Sequence, residues 1–466
     1  MSRDISLEKS GAYRKSFLAN KEYILRMNGV TKSGIDGTAP AYTGPVNTPE
    51  AFSYELKAGE ITAQAQSGRC WLFAATNVMR LEVMKKCNLE NFELSQAYLF
   101  FWSKFERANF FLDAILNTLD AERDSRLLAW LLQAPFSDGG QWDMVMALVE
   151  KYGLVPKTVM PESFHSGASR PFNKYLTVKA REFAKELREA FKAGESRESL
   201  EARKDKMLET FFRMLCIAFG PPPERFDFEC RGREDEGEKK ENGEDNGENP
   251  APKSIINRGR FTRDLGITPQ EFYRKYVGDK FGDYVSLINS PTDDKPFFDT
   301  FTVTYLGNVA GKWVHYLNLP IENLKRAALA QLDSGEAVWF GCDVGQMHNT
   351  EHGLMSLDSI DVETLFDTTF PLDKAARLDY GESRMNHAMV FTGVNVVDGV
   401  PNRWRVENSW GDARGEKGRF RMSDKWFDEF VYQVVVNKKF LSPEELAALE
   451  KKPTVLKPWD PMGSLA

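Results

Sequence analysis

The chain has 466 residues, 42% of them apolar and 28% charged, with a formal net charge of −7. That is a globular composition, with length for about three domains or for one core carrying large insertions. The acidic balance argues against general binding to nucleic acid or to anionic membrane, and no run approaches the ~20 apolar residues of a membrane span.

The first residues, Met1-Ser-Arg-Asp-Ile-Ser, lack the apolar stretch of a secretory signal. The five cysteines (Cys70, Cys87, Cys216, Cys230 and Cys342) are odd in number and unpatterned. They fit a reducing compartment better than a disulfide framework, so a cytoplasmic location is expected. A helix-like stretch at Leu7–Arg26 and a turn-rich run from Gly34 to Pro45 read as an arm. Cys70 then opens a helical pattern with apolar residues at Leu72, Val78, Leu81 and Met84, and Ser67-Gly68 before it supply start chemistry. Helical patterns continue from Ser95 to Gly220, broken at Pro135–Gly140 and stopped by Gly220-Pro-Pro-Pro. Glu229–Lys253 is almost devoid of apolar residues and reads as a surface loop with nothing to bury.

The last third changes character. Phe301–Tyr305, Ala337–Phe340, His387–Val397, Trp404–Asn408 and Tyr432–Val436 read as strands. Helices first and strands later predict an α+β fold. Ser442-Pro-Glu-Glu445 reads as a capping box with proline in the first turn. Beyond it, Pro453, Pro458 and Pro461 favour an extended chain. Val455, Leu456, Trp459, Met462 and Leu465 are too apolar for a free tail, so it is expected to dock in a groove. These shifts divide the chain into an arm (1–50), a helical part (51–165), a helical insertion with the acidic loop 229–253 (166–300), a β-rich part (301–452) and a C-terminal arm (453–466).

One cysteine stands apart. A thiol at the start of a helix, as at Cys70, feels the positive end of the helix and is lowered toward the thiolate. A cysteine nucleophile also needs a base and a group that orients the base. A hairpin turning at Asp398-Gly399 sets His387 and Asn408 almost opposite one another at its open end. Trp410 is placed to shield their hydrogen bond from water. His348 and His352 are four apart, but their surroundings are loop-like and no metal site is expected. His165 and His315 read as ordinary polar histidines, and Tyr98–Trp102 as core.

Gln64-Ala-Gln-Ser-Gly-Arg-Cys70-Trp, Asn386-His387-Ala-Met-Val, Glu407-Asn408-Ser-Trp-Gly and Ser137-Asp-Gly-Gly-Gln-Trp together resemble the motifs of papain-like cysteine peptidases. Met27-Asn-Gly-Val-Thr-Lys, Leu265-Gly-Ile-Thr-Pro-Gln-Glu-Phe-Tyr, Val338-Trp-Phe-Gly-Cys-Asp-Val-Gly and Pro458-Trp-Asp-Pro-Met-Gly narrow the resemblance to the bleomycin hydrolase / aminopeptidase C family. It implies a papain-like fold with a helical left part, an antiparallel β right part, large helical insertions and a C-terminal arm in the cleft. It also implies Cys70 as nucleophile, His387 as general base and then acid, and Asn408 as its orienter. Gln64, rather than the nearer Gln66, would donate to the oxyanion beside the Cys70 N–H. Gly139 and Gly140 would let a peptide backbone approach, and the carboxylate of Ala466 would receive a substrate's α-ammonium. Ser67 stands where secreted relatives of the clan carry a disulfide cysteine.

The expected function is a cytosolic cysteine aminopeptidase acting on peptides without a cofactor. The family implies a homo-oligomer, a hexamer, with no membrane or nucleic-acid partner. An endopeptidase, amide hydrolase or acyl-transfer enzyme of the same fold is the alternative, and requires the tail to lie elsewhere. A nucleic-acid scaffold is disfavoured by the charge and by the lack of a basic stretch.

Overall fold

The computed structural model describes residues 4–234 and 259–466. Its centre is one twelve-stranded mixed sheet. From one edge the order runs Thr454–Leu456, Asp299–Val303, Tyr316–Asn318, Tyr284–Ile288, Val431–Asn437, Val338–Cys342, His387–Val397, Val400–Glu407, Arg419–Ser423, Leu354–Met355 and His348–Asn349, with Tyr54–Glu55 also paired to His387–Val397. Alternating side chains assign its two faces. Trp339, Ala388 and Val390 pack into the core shared with the helices, while Val338, Phe340, Met389 and Phe391 pack into a second core on the other face.

The helical side is led by Cys70–Cys87, Gln96–Leu116, Trp142–Tyr152, Arg170–Lys192 and Arg197–Phe219. The last stops where the glycine-proline run predicts, with Gly220 as cap at φ 81°. The hairpin expected at Asp398-Gly399 is present. Asp398 and Gly399 have φ 52° and 81°, the left-handed pair that matches strand twist, and Val397 pairs with Val400.

Several expectations are corrected. The stretch Leu7–Arg26 is two helices, Leu7–Ala19 and Lys21–Ser33, because the Asn20 side chain caps the second one. Ser67 does not cap the Cys70 helix. Its hydroxyl donates to the Gln64 carbonyl at 2.6 Å, and Arg69 holds the cap position without a side-chain bond. The tail is extended at Thr454–Leu456, but a 3-10 turn at Pro461–Gly463 bends it. Of the run Glu229–Lys253, Glu229–Arg231 ends a strand of a two-stranded ribbon, Phe226–Arg231 with Phe261–Ile267, and residues 235–253 lie outside the described residues. No helix among the described residues is long and apolar enough to cross a membrane.

The Cys70 helix is tied to the sheet by a buried ion pair. Arg80 and Glu407 meet at 2.9 Å with both side chains 1% exposed, and Arg80 also donates to the carbonyls of Ala58 and Glu60. Breaking such a pair from one side strands a buried charge. Arg80→Ala is therefore expected to lower unfolding free energy by about 3–5 kcal/mol in urea titration, and Arg80→Met with Glu407→Leu to recover most of it.

Candidate active site

Cys70 is the first residue of its helix, buried at 3% exposure. Because the helix has no side-chain cap, the N–H groups of its first residues are not spent on one. The N–H groups of Ala388 in the neighbouring strand, and of Trp71 and Cys70 at the helix start, reach the Cys70 sulfur and favour its anion, but the lowered thiol expected from the helix start is corrected by the core around it. Burial outweighs them and pushes the thiol up to about 11. Burial likewise holds His387 down to about 4, with the Asn408 hydrogen bond pulling the other way. Burial thus favours the neutral form of each group.

His387 opens the strand His387–Val397 and pairs across the sheet with Cys342. Its Nε2 lies 2.9 Å from Asn408 Oδ1. That oxygen also accepts the Ser409 N–H at 2.7 Å, which fixes the amide orientation. In the neutral ring Nε2 therefore carries the proton, and Nδ1 keeps its lone pair. The Trp410 ring lies 4.9 Å from the His387 ring.

Gln64 is buried, and both ends of its amide are held. Oε1 accepts Ser409 Oγ–H at 2.6 Å and Nε2 donates to the Ser67 carbonyl at 2.5 Å. The amide nitrogen carries a second N–H beyond the one given to Ser67. Gln66, the nearer glutamine, is exposed.

Gly139 and Gly140 run beside the Cys70 helix. A Cβ on Gly140 would lie 2.5 Å from the Trp71 ring, whose Nε1 donates to the Asp138 carbonyl at 2.8 Å. A Cβ on Gly139 would lie 2.5 Å from the Ala466 carbonyl oxygen. Along this strip lies the C-terminal arm: Gly140 N–H donates to Ala466 O at 3.1 Å, Ala466 N–H to Gly140 O at 3.3 Å, and Gln141 Nε2 to Ser464 O at 2.8 Å. A cavity of about 420 Å³ opens alongside, walled by Phe111, Leu131, Met385 and Leu465.

Sequence reasoning missed the charges that hold this strip. Asp138 accepts from Lys104 at 2.6 Å, Ser169 at 2.5 Å, Asn173 at 2.6 Å and the Gly68 N–H at 3.1 Å. Burial opposes its charge, but Lys104, Ser169 and Asn173 prevail and hold its carboxyl well below the usual range. Burial pushes Lys104 down to about 8 against the pull of Asp138. Arg107 donates to the Gly139 carbonyl. The signal was present: Lys104, Glu106 and Arg107 interrupt a helix otherwise crowded with aromatics, and charges so placed are buried only when paired. His348 lies in a short strand, not on a helix with His352; its ring is 6.0 Å from Trp410, and burial pushes it down to about 4.

A thiol at a helix start, reached by the N–H of Ala388, the residue after an imidazole that Asn408 holds across an antiparallel hairpin, is the setting of a cysteine peptidase of the papain-like fold. The model of the Peptidase C1-like family matches residues 4–244 and 257–463, and the chain belongs to that family. Among its relatives, aminopeptidase C of Streptococcus thermophilus is 45% identical over 450 residues, covering 96% of each chain. Human bleomycin hydrolase is 44% identical over 416 residues, covering 87% of this chain and 86% of its own. The crystal structure of PepW from Lactobacillus rhamnosis HN001 superposes over all of both chains at a TM-score of 0.92 and 44% identity.

The Asn408 bond is what raises the pKa of His387 against burial. Asn408→Ala is expected to move the acid limb of the kcat/KM–pH profile to lower pH. The same change should reduce kcat by about tenfold or more, part of the ~10²–10⁴ a positioned base supplies.

Proposed function

We propose that this protein is a cysteine aminopeptidase that removes single residues from the N-termini of peptides, with its own C-terminus as the gate. The observation that carries the reading is the antiparallel seating of Ala466 on Gly140, next to the helix that begins with Cys70. The tail takes the course that the upstream part of a longer peptide would need. The names of the relatives, aminopeptidase C and bleomycin hydrolase, support the same activity.

In this reading His387 Nδ1 takes the Cys70 proton as the sulfur attacks the first peptide carbonyl. The oxyanion is held by the Cys70 N–H and the Gln64 amide, each such donor being worth about 2.7–4 kcal/mol. His387 then protonates the leaving amine, and water, deprotonated by the same imidazole, hydrolyses the thioester. The Ala466 carboxylate pairs with the α-ammonium of the residue to be released. No step calls for a cofactor. An endopeptidase reading needs an open cleft upstream of the scissile bond, and the pairing of Ala466 with Gly140 speaks against it.

We infer further that the enzyme works in the cytosol, where its five free cysteines suit a reducing medium, and that it assembles with copies of itself, as a hexamer by the family resemblance. The two N-terminal helices, Leu7–Ala19 and Lys21–Ser33, bury none of their residues. Leu7 is 91% exposed and Leu25 73%, with Tyr13 and Leu18 also open to solvent. Apolar side chains gathered on such an arm mark a contact surface.

Deletion of the residues after Trp459 is expected to raise cleavage of an N-acylated peptide. The same deletion should cut kcat/KM for an aminoacyl arylamide by about tenfold or more, as loss of a charged hydrogen bond of ~1.5–3 kcal/mol requires. Cys70→Ala must abolish both activities; activity surviving in it would reject the assignment. Deletion of residues 1–33 is expected to lower the mass found by sedimentation to that of smaller assemblies.

A further inference from the structure

Cys87 and Cys230 adjoin one another where the proposed reaction makes no use of them. Cys87 ends the helix that Cys70 begins, so the two sites are about 26 Å apart by helical rise. Cys230 lies in the ribbon strand Phe226–Arg231, opposite Thr262. The ribbon is fixed against the end of the helix: Arg233 N–H donates to the Asn88 carbonyl at 2.8 Å, and Asn88 Nδ2 to the Arg233 carbonyl at 2.9 Å. Gly232 backs so closely onto Cys87 that a Cβ there would lie 2.5 Å from the Cys87 carbonyl oxygen. The two thiols, both free, meet side chain to side chain, and the Thr262 hydroxyl bonds to the Cys87 sulfur.

Access and charge are asymmetric. Cys87 is 3% exposed, whereas Cys230 is half-buried. A surface depression of about 280 Å³ borders Cys87 and, among the described residues, is lined by Lys86, Arg260, Arg263 and Lys275 and by the carboxylate of Asp264. Asp264 is engaged by Lys275 at 2.7 Å and by the Tyr276 hydroxyl at 2.5 Å, and Arg263 by Glu229 at 2.8 Å. The cations around this end of the helix attract an anionic reagent.

We propose that Cys87 and Cys230 form a dithiol modification site that closes to a disulfide by exchange with a small, carboxylate-bearing disulfide. Cys230, the more accessible thiol, loses its proton to solvent and attacks one sulfur of the reagent, forming a mixed disulfide and expelling one small thiolate. Cys87 then gives up its proton and attacks the Cys230 sulfur, expelling the second. Two protein thiols are oxidised, one small disulfide is reduced to two thiols, and no other oxidant is needed. Cys87 is enclosed and is therefore the second attacker, acting on a sulfur already held beside it; burial and the neighbouring Cys230 push its thiol up, while Arg260 pulls it down. The bond ties the ribbon to the far end of the nucleophile helix and constrains the unfolded chain.

The test treats the full-length protein with excess oxidised glutathione, alkylates remaining thiols and maps peptides without reduction. The expected result is a linked pair of peptides containing Cys87 and Cys230, lighter by two hydrogens and separated by dithiothreitol. The oxidised protein should also melt at a higher temperature than the reduced one, a rise absent in Cys230→Ser. Three results would overturn the proposal: full alkylation of Cys87, an unresolved glutathione adduct on Cys230, or a link that forms only in denaturant. The mapping is done on the natural sequence, so it stands even where the variant folds poorly.

Discussion

The proposed chemistry depends on one seam, where the helix Cys70–Cys87 lies against the strands that carry His387 and Asn408. A thiol and an imidazole that burial keeps neutral one at a time can only become a reactive pair together, and only at fixed separation. The helix is fixed to the sheet at several points. Arg80 reaches Glu407, the residue immediately before Asn408; Trp339 Nε1 donates to the Trp71 carbonyl, the residue after Cys70, at 3.2 Å; and Asn77 donates to Thr62, two residues before Gln64. A buried ion pair is poor evidence of net stability, since desolvation offsets most of its attraction. Its directional value is greater: only one registration of helix on strand satisfies Arg80, Glu407 and the carbonyls of Ala58 and Glu60 together.

The opposite wall of the cleft is held by charge as well. Gly139 and Gly140 have no side chains to anchor them, and the close approach of Trp71 and of Ala466 forbids any. Their backbone is therefore positioned from behind, by Asp138 through Lys104, Ser169 and Asn173, and by Arg107 on the Gly139 carbonyl. The buried charges sit beside the strip they hold, so the N–H and C=O of Gly140 are left for the strand-like pairing that Ala466 makes there.

What was legible in the sequence follows from how local each signal is. The strand His387–Val397 announces itself by composition, and its turn by Asp398-Gly399, so the hairpin and the approach of His387 to Asn408 were readable from order alone. Short strands such as Tyr316–Asn318 and Leu354–Met355 were not, because three or two residues carry no period and are defined by neighbours far away in the chain. The start of the Cys70 helix was misread for a related reason: Ser67 has the chemistry of a cap, but Gln64 and Arg69 claim its hydroxyl. Burial was the other blind spot. The helix-start effect on Cys70 is visible in its N–H contacts, yet the surrounding core, invisible in sequence, decides the direction of the shift.

The same distinction explains the tail. Prolines and apolar residues predict an extended segment that docks, but not where. The structure fixes it by contacts remote from the cleft. Thr454–Leu456 adds a parallel strand beside Asp299–Val303, the Trp459 ring lies 4.0 Å from the Arg126 guanidinium, and Asp460 meets the buried Lys295 at 3.0 Å. From these anchors the 3-10 turn Pro461–Gly463 feeds the last residues onto Gly140. A chain end tethered this close is present at an effective concentration that no free peptide reaches, so pairing with Gly140 needs little intrinsic affinity. That is why two backbone hydrogen bonds and one from Gln141 can suffice to hold Ala466, and why, on the proposed reading, the gate is set by the length of chain between Asp460 and Ala466 rather than by the strength of its last contacts.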